Sequence, residues 1–325
     1  MRKLSSPAAF ACVAALSLAV TGCGYVANLR AKMSFREANG LYQAQDWKGA
    51  VEKYEEVVAQ NPTDPQMLTT YFFLGNSYDN QYRPGRENDP ANDAFLTKAI
   101  ENYKKASEVI TGNSEACPNC GQIKTLSLQY LVAAYGADKL NDPAQAEPLL
   151  LQMIQMEPKE APNYFLLSRL YEDNGDYENA EATLIKAREA RPEDAAVYST
   201  LAGYYDRQGN FDKLIESLEA RTAQEPNNPE AHYTIATYYF NKASRDFSLS
   251  NAEKAKYATA GVVAVDKALA LNKDYMEALV FKNLFLRLQA NVERDPARQQ
   301  ALLREANQLR DRAEELRKQK AAGLS

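Results

Sequence analysis

Residues 161–194, APNYFLLSRLYEDNGDYENAEATLIKAREARPED, and residues 195–228, AAVYSTLAGYYDRQGNFDKLIESLEARTAQEPNN, superpose without a gap at a period of 34. Tyr164, Leu167, Ser168, Tyr171, Gly175, Tyr177, Ala180, Leu184, Ala187 and Pro192 of the first stand opposite Tyr198, Leu201, Ala202, Tyr205, Gly209, Phe211, Leu214, Leu218, Arg221 and Pro226 of the second. Counting each unit from its first residue, the apolar side chains at positions 4, 7 and 11 follow the 3.6-residue period and draw one stripe along a first helix. Small residues at positions 8, 20 and 27 let a second helix come close. Glycine at position 15 suits the tight turn between the two, and proline at position 32, which has no N–H to donate, stops the second helix. Each unit is therefore a helical hairpin. A lone hairpin cannot bury its apolar face, so neighbours must stack to form the core.

This pattern resembles the tetratricopeptide repeat. The same register extends to looser units. Ala31–Asp64 carries Ala38, Leu41, Trp47, Ala50, Tyr54 and Pro62, and Leu68–Thr111 carries Tyr71, Leu74, Gly75, Tyr78, Ala99, Tyr103 and Ala106. Thr125–Glu160 has Leu128, Leu131, Tyr135, Ala146 and Pro158; Pro229–Tyr275 has His232, Ile235, Ala236, Tyr239 and Ala268; a degenerate seventh unit starts near Met276. The resemblance implies an all-α, right-handed superhelical solenoid of six to seven hairpins over residues 31–295, with insertions near 79–96, 112–124 and 242–256. Residues 296–325 form a last helix. Leu302, Ala306, Leu309, Ala313 and Leu316 at 3-4 spacing fit a cap on the array, with a coiled-coil seam as the alternative.

In this family the first helices line a concave groove, with positions 2, 5, 9, 12 and 13 facing it. Carried onto this sequence, the groove takes Phe35, Phe72, Phe165 and Tyr233 from position 5, with Gln129 and Ser199 interrupting the series. Asn39, Asn76 and Arg169 come from position 9, and Tyr42, Asn80, Arg207, Phe240 and Asn241 from positions 12 and 13. Aromatics give contact area and asparagine amides pair with backbone, so the implied ligand is a peptide or helix of a protein partner. The alternative reading packs the rings inside the array. The groove lacks the several lysines and arginines of the family's carboxylate clamp, so a C-terminal carboxylate is not the expected ligand.

The beginning of the chain addresses the compartment. Arg2 and Lys3 precede an apolar run, Ala8–Val20, too short to span a bilayer as a mature helix. Val20-Thr21-Gly22-Cys23 resembles the lipobox of bacterial lipoproteins, which implies a signal peptide over residues 1–22, lipid on Cys23 and a short tether over residues 23–30. Gly24, in place of the aspartate that retains lipoproteins at the inner membrane, points to the periplasmic face of the outer membrane. Loss of Arg2 and Lys3 takes the formal net charge from −5 to −7. An acidic chain without a basic run has no means of neutralising nucleic-acid phosphates.

Once the leader is gone and Cys23 is acylated, Cys117 and Cys120 are the thiols that remain. In an oxidising compartment they can form one disulfide; a redox or metal-dependent role for the pair is the alternative, although zinc usually takes four ligands. His232 is the sole histidine and stands at a packing position. There is no Gly-x-Ser-x-Gly, no His-Glu-x-x-His and no phosphate loop after a strand, so neither catalysis nor a cofactor is expected. The composite expectation is a non-catalytic, lipid-anchored scaffold or adaptor for envelope or outer-membrane proteins. It resembles repeat lipoproteins that assist outer-membrane protein assembly, those that pilot secretins or type IV pili, and adaptors for peptidoglycan hydrolases.

Overall fold

The computed structural model describes residues 7–60, 64–86 and 89–323, with side chains from Tyr25 onward and Gln66 excepted. Among these residues there are fourteen α-helices, one short 3-10 turn at Pro65–Met67 and no strand. The helices fall into two compact units, Met1–Pro158 and Lys159–Ser325.

The first unit holds α1 (Pro7–Gln43), α2 (Trp47–Ala59), α3 (Thr70–Asp79), α4 (Pro90–Val109), α5 (Cys120–Tyr135) and α6 (Pro143–Met156). Each packs on its chain neighbour, and α1 also reaches α3. The second holds α7 (Ala161–Asp173), α8 (Tyr177–Ala190), α9 (Ala195–Arg207), α10 (Phe211–Gln224), α11 (Pro229–Arg245), α12 (Asn251–Leu271), α13 (Met276–Val292) and α14 (Pro296–Ala321). Here too consecutive helices pack as stacked hairpins, with α14 lying against α13.

Two devices repeat with the sequence period. The turns inside the hairpins pass through the left-handed region at Gly175 (φ 77°) and Gly209 (φ 69°), where a side chain is disfavoured. Gln45 (φ 60°) and Asn141 (φ 49°) take the same role in the first unit. Asparagine tolerates this region better than most residues, and Gln45 is the costlier substitute. The second device is capping. Asp46, Asp142, Asp176 and Asn210 accept from the backbone N–H three residues on, at the starts of α2, α6, α8 and α10. Asp194 and Asn228 cap α9 and α11 by accepting from the backbone N–H two residues on. Each such cap satisfies helix-end donors that would otherwise lack a partner.

Three expectations need correction. The stretch 242–256 is not an inserted loop: α11 continues to Arg245 and α12 begins at Asn251, so only Asp246–Ser250 lies outside helix. Helix-forming Lys, Ala and Glu extend both helices, and a reciprocal capping box between Ser250 and Glu253 starts the second. Pro90 to Leu96, within the stretch read as an insertion over 79–96, already belongs to α4, whose buried Asn92 accepts from Arg83 N–H at 2.8 Å and pins the preceding loop. The first helix of the unit placed at Thr125 starts at Cys120, and its hairpin turn is lengthened to residues 136–142.

The largest fully buried side chains include Tyr54, Tyr103, Leu128, Leu131 and Leu150 in the first unit and Leu184, Leu201, Leu214 and Phe285 in the second. At Gly261 of α12 an added Cβ would lie 2.1 Å from the Phe285 ring of α13, so the ring occupies the space that the glycine leaves.

Candidate protein-binding faces

In the first unit, Asn76 of α3 is the centre of a buried network. Its Oδ1 accepts from Tyr42 Oη at 2.7 Å and from Asn80 Nδ2 at 2.9 Å, and its Nδ2 donates to Tyr103 Oη at 3.3 Å. Tyr103 Oη donates in turn to Asp79 Oδ2 at 3.4 Å, and Lys139 Nζ, carried by the lengthened turn after α5, donates to Asp79 Oδ1 at 2.5 Å. Phe72 sits among Phe73, Tyr103 and Tyr130, with ring centroids 5.3, 5.9 and 5.7 Å away. Burial pushes the Tyr103 hydroxyl well above the ordinary tyrosine range, so it stays a neutral donor. At the near end of the unit, Tyr54 Oη donates to Asn39 Oδ1 at 2.7 Å, and Phe35 packs edge-on against the Tyr54 ring and beside Ala31, Val57 and Met67.

This geometry corrects two of the groove assignments. Phe72 is 5% and Asn76 4% exposed, so neither can touch a partner while the unit is folded. Tyr103 of α4 and Tyr130 of α5 close over Phe72, and the network consumes both ends of the Asn76 amide. Phe35, Asn39, Tyr42 and Asn80 are half-buried, the last three with their polar ends already engaged.

The second unit presents its first helices differently. Phe165 of α7, Tyr233 and Phe240 of α11 and Phe281 of α13 are half-buried, while Arg169, Asp206, Arg207 and Asn241 are exposed beside them. Tyr233 packs on Tyr275 (5.3 Å between centroids) and Phe281 (5.1 Å), and Phe240 on Phe281 (5.3 Å) and Phe285 (5.6 Å). Across α7 and α9, Arg207 grips Glu172 bidentately, Nε to Oε1 at 2.8 Å and Nη2 to Oε2 at 2.9 Å. These bonds hold the Glu172 carboxyl below the usual carboxylate range against the opposing effect of its burial. Arg169 joins Asp173 at 3.0 Å. The face is thus half-open rings separated by fixed charges.

Sequence reasoning missed Tyr130, Phe281 and Phe247. The first two lie outside the aligned first-helix positions used to choose groove residues. Phe247 stands almost fully exposed at the tip between α11 and α12, on a turn fixed by Asp246, which accepts from Ser248 N–H at 3.0 Å and from Lys242 Nζ at 2.8 Å.

Cys117 and Cys120 are joined by a disulfide and are 4% and 1% exposed. They close a small loop in which Ser114 and Cys117 exchange backbone hydrogen bonds at 3.1 Å, and Asn113 Oδ1 accepts from Gly121 N–H at 2.7 Å. Against this loop lies a polar groove of about 760 Å³ lined by Gln122, Gln129, Gln152, Gln155 and Glu157 among others. A second groove, of about 770 Å³, runs between α12, α13 and α14, with Ala255, Val292 and Leu302 at its floor and Arg294, Arg298 and Glu305 in its lining. His232 is half-buried, and burial, with Lys267 nearby, lowers its pKa below the ordinary histidine value. Among the described residues no group of three or more His, Cys, Asp or Glu is placed to hold a metal ion. The side chain of Cys23 lies outside the described residues.

Residues 139–204, from the turn after α5 through most of α9, match the tetratricopeptide repeat family model. This stretch of the chain carries the tetratricopeptide repeat. The array is similar to the C-terminal part of a tetratricopeptide repeat-containing protein from Cytophaga hutchinsonii, at 14% identity and a TM-score of 0.51, covering 85% of this chain and 95% of that one. At such identity the likeness is one of fold. It is also similar to a tetratricopeptide repeat protein from Parabacteroides merdae, with 13% identity, a TM-score of 0.45 and coverage of 86% and 99%. For MamA the values are 17%, 0.43, 68% and 98%. No curated protein matches the sequence.

Proposed function

We propose that this protein is a non-catalytic envelope scaffold, tethered by lipid on Cys23 to the periplasmic face of the outer membrane. It holds an envelope protein on the open face of its second unit. The observation that carries the binding role is the set of half-buried rings Phe165, Tyr233 and Phe240 beside exposed Arg169, Arg207 and Asn241. Fixed aromatics that are neither sealed nor free supply contact area at small entropic cost, and the flanking charges set the register of what docks. An amphipathic helix or extended peptide, with apolar groups toward the rings and polar groups toward the charges, fits such a surface.

The anchor rests on the lipobox-like Val20-Thr21-Gly22-Cys23 and on Gly24 after it. The disulfide is read as structural, because thiol–disulfide exchange needs a sulfur that an attacking thiolate can reach, and both sulfurs here are buried.

Both parts of the reading are tested in cells. Mass spectrometry of the N-terminal peptide should find acyl chains on Cys23, and Cys23→Ala should leave the chain unprocessed. Crosslinked wild type should carry an envelope protein that the Phe165→Ala, Tyr233→Ala, Phe240→Ala variant loses while keeping its helical circular dichroism. An unaltered partner set in the folded variant would remove the second-unit face as the binding surface.

A further inference from the structure

The N-terminal part of α1 carries an apolar face that the array does not use. Tyr25, Val26, Leu29 and Met33 are 74%, 46%, 51% and 66% exposed. At about 100° per residue they occupy an arc of roughly 100° on the helix. The side that packs inward, marked by the fully buried Ala31 and Ala38, is the opposite one. Arg30 and Lys32 border this arc on its two edges, and Arg36 follows one turn on. Between Cys23 and Arg36 there is no aspartate or glutamate, in a chain whose formal net charge is −5. Lys32 reaches Asp64 at 2.6 Å, while Arg30 and Arg36 are exposed.

We propose that Tyr25–Met33 lies along the surface of an anionic bilayer, with Tyr25, Val26, Leu29 and Met33 inserted among the acyl chains and Arg30 and Arg36 at the phosphates. The distribution is that of an interfacial helix: a continuous apolar stripe, basic side chains long enough to reach headgroups from its edges, and a tyrosine, which favours the membrane–water boundary. An acidic copy of this chain would attract the same arginines; the nearness of the stripe to Cys23 selects lipid. Tyr25–Met33 is too short to cross the hydrocarbon core as a helix, so the segment lies on the bilayer and does not span it. The inference rests on the reading of Cys23 as the first residue of the mature chain, two positions before Tyr25. Its consequence is orientation: a helix seated in the interface fixes the first hairpin against the membrane, whereas lipid alone would leave it free to swivel.

The test uses the mature protein as the cell makes it, reconstituted in vesicles of phosphatidylethanolamine and phosphatidylglycerol. In a Trp47→Phe background, Leu29→Trp places the reporter on the stripe and Glu52→Trp places it on the exposed side of α2. Brominated acyl chains should remove most of the Leu29→Trp emission and leave that of Glu52→Trp unchanged, and Arg30→Glu with Arg36→Glu should weaken the quenching several-fold. Leu29→Trp quenched no more than Glu52→Trp would overturn the proposal. So would protection from iodide without bromine quenching, which would assign the stripe to a protein, a second copy included. The mass of the N-terminal peptide, read in the same samples, separates the two claims. Acylated protein with an unquenched Leu29→Trp removes the surface helix alone; unacylated protein that still binds with a quenched reporter supports the helix and removes the anchor. Unacylated protein that stays off the vesicles removes both.

Discussion

The same repeat positions meet opposite fates in the two units. In the first, Phe72 at position 5 and Asn76 at position 9 are sealed beneath Tyr42, Tyr103 and Tyr130, while Phe35 and Asn39 of the preceding repeat stay half-buried. In the second, position 5 supplies Phe165 and Tyr233, which keep part of their rings in solvent. The difference lies in the neighbours. Tyr103 of the second helix and Tyr130 of the next hairpin close over Phe72, whereas Tyr275 and Phe281 pack against Tyr233 and leave part of it uncovered. A repeat register therefore gives a residue its direction, and the adjacent hairpin decides whether that direction is a surface.

The comparison breaks most readily at Phe72. Phe72→Ala should cost about 3–5 kcal/mol, the loss typical of a sealed aromatic, and should lower the urea midpoint accordingly. Tyr233→Ala, with part of its ring already in water, should cost only ~1 kcal/mol. Equal losses at the two sites would erase the distinction between core and face. Asn76→Ala should come next, at roughly 1–3 kcal/mol, since it strips the Tyr42 and Tyr103 hydroxyls of their shared partner. The second unit has its own sealed contact at Gly261, against the Phe285 ring on which Phe240 packs. Gly261→Ala drives a Cβ into Phe285 and should destabilise by about 1–3 kcal/mol.

The smallest effect belongs to the charges on the open face. Arg207 lowers the folded-state pKa of Glu172, so the contribution of the pair is complete above the unfolded carboxylate range of roughly 4 and fades as the pH falls through the lowered folded value. A double-mutant cycle on Glu172→Gln and Arg207→Gln should give about 0.2–1 kcal/mol at neutral pH. At a pH below the folded value the coupling should vanish. A coupling independent of pH would mean that the contact is packing and not an ion pair.

Much of this architecture was legible in the sequence, because period, stripe, turn glycine and terminating proline are each fixed by local geometry. The caps were legible too and went unread: Asp176 and Asn210 recur at one position of the unit, Asp194 and Asn228 at another, and Ser250-x-x-Glu253 spells the capping box that turns the stretch after Lys242 into helix. The lengthened turn that carries Lys139 to Asp79 left no such mark, since a two-residue shift inside one loose unit looks like noise. The candidate site was read less well. Assigning Phe72 and Asn76 to the groove followed the family register, and nothing in their own hairpin reveals that Tyr130, two helices later, covers them. Phe281 escaped because the last units have drifted from the pattern.

On the proposed reading, partners meet the second unit through its half-open rings while the first-unit network is structural. Photoreactive phenylalanine placed in cells at position 233, and separately at position 42, tests it most directly. A specific crosslink to an envelope protein is expected from position 233 and none from position 42. The same crosslink from position 42, with position 233 silent, would contradict it and move the binding surface to the first unit.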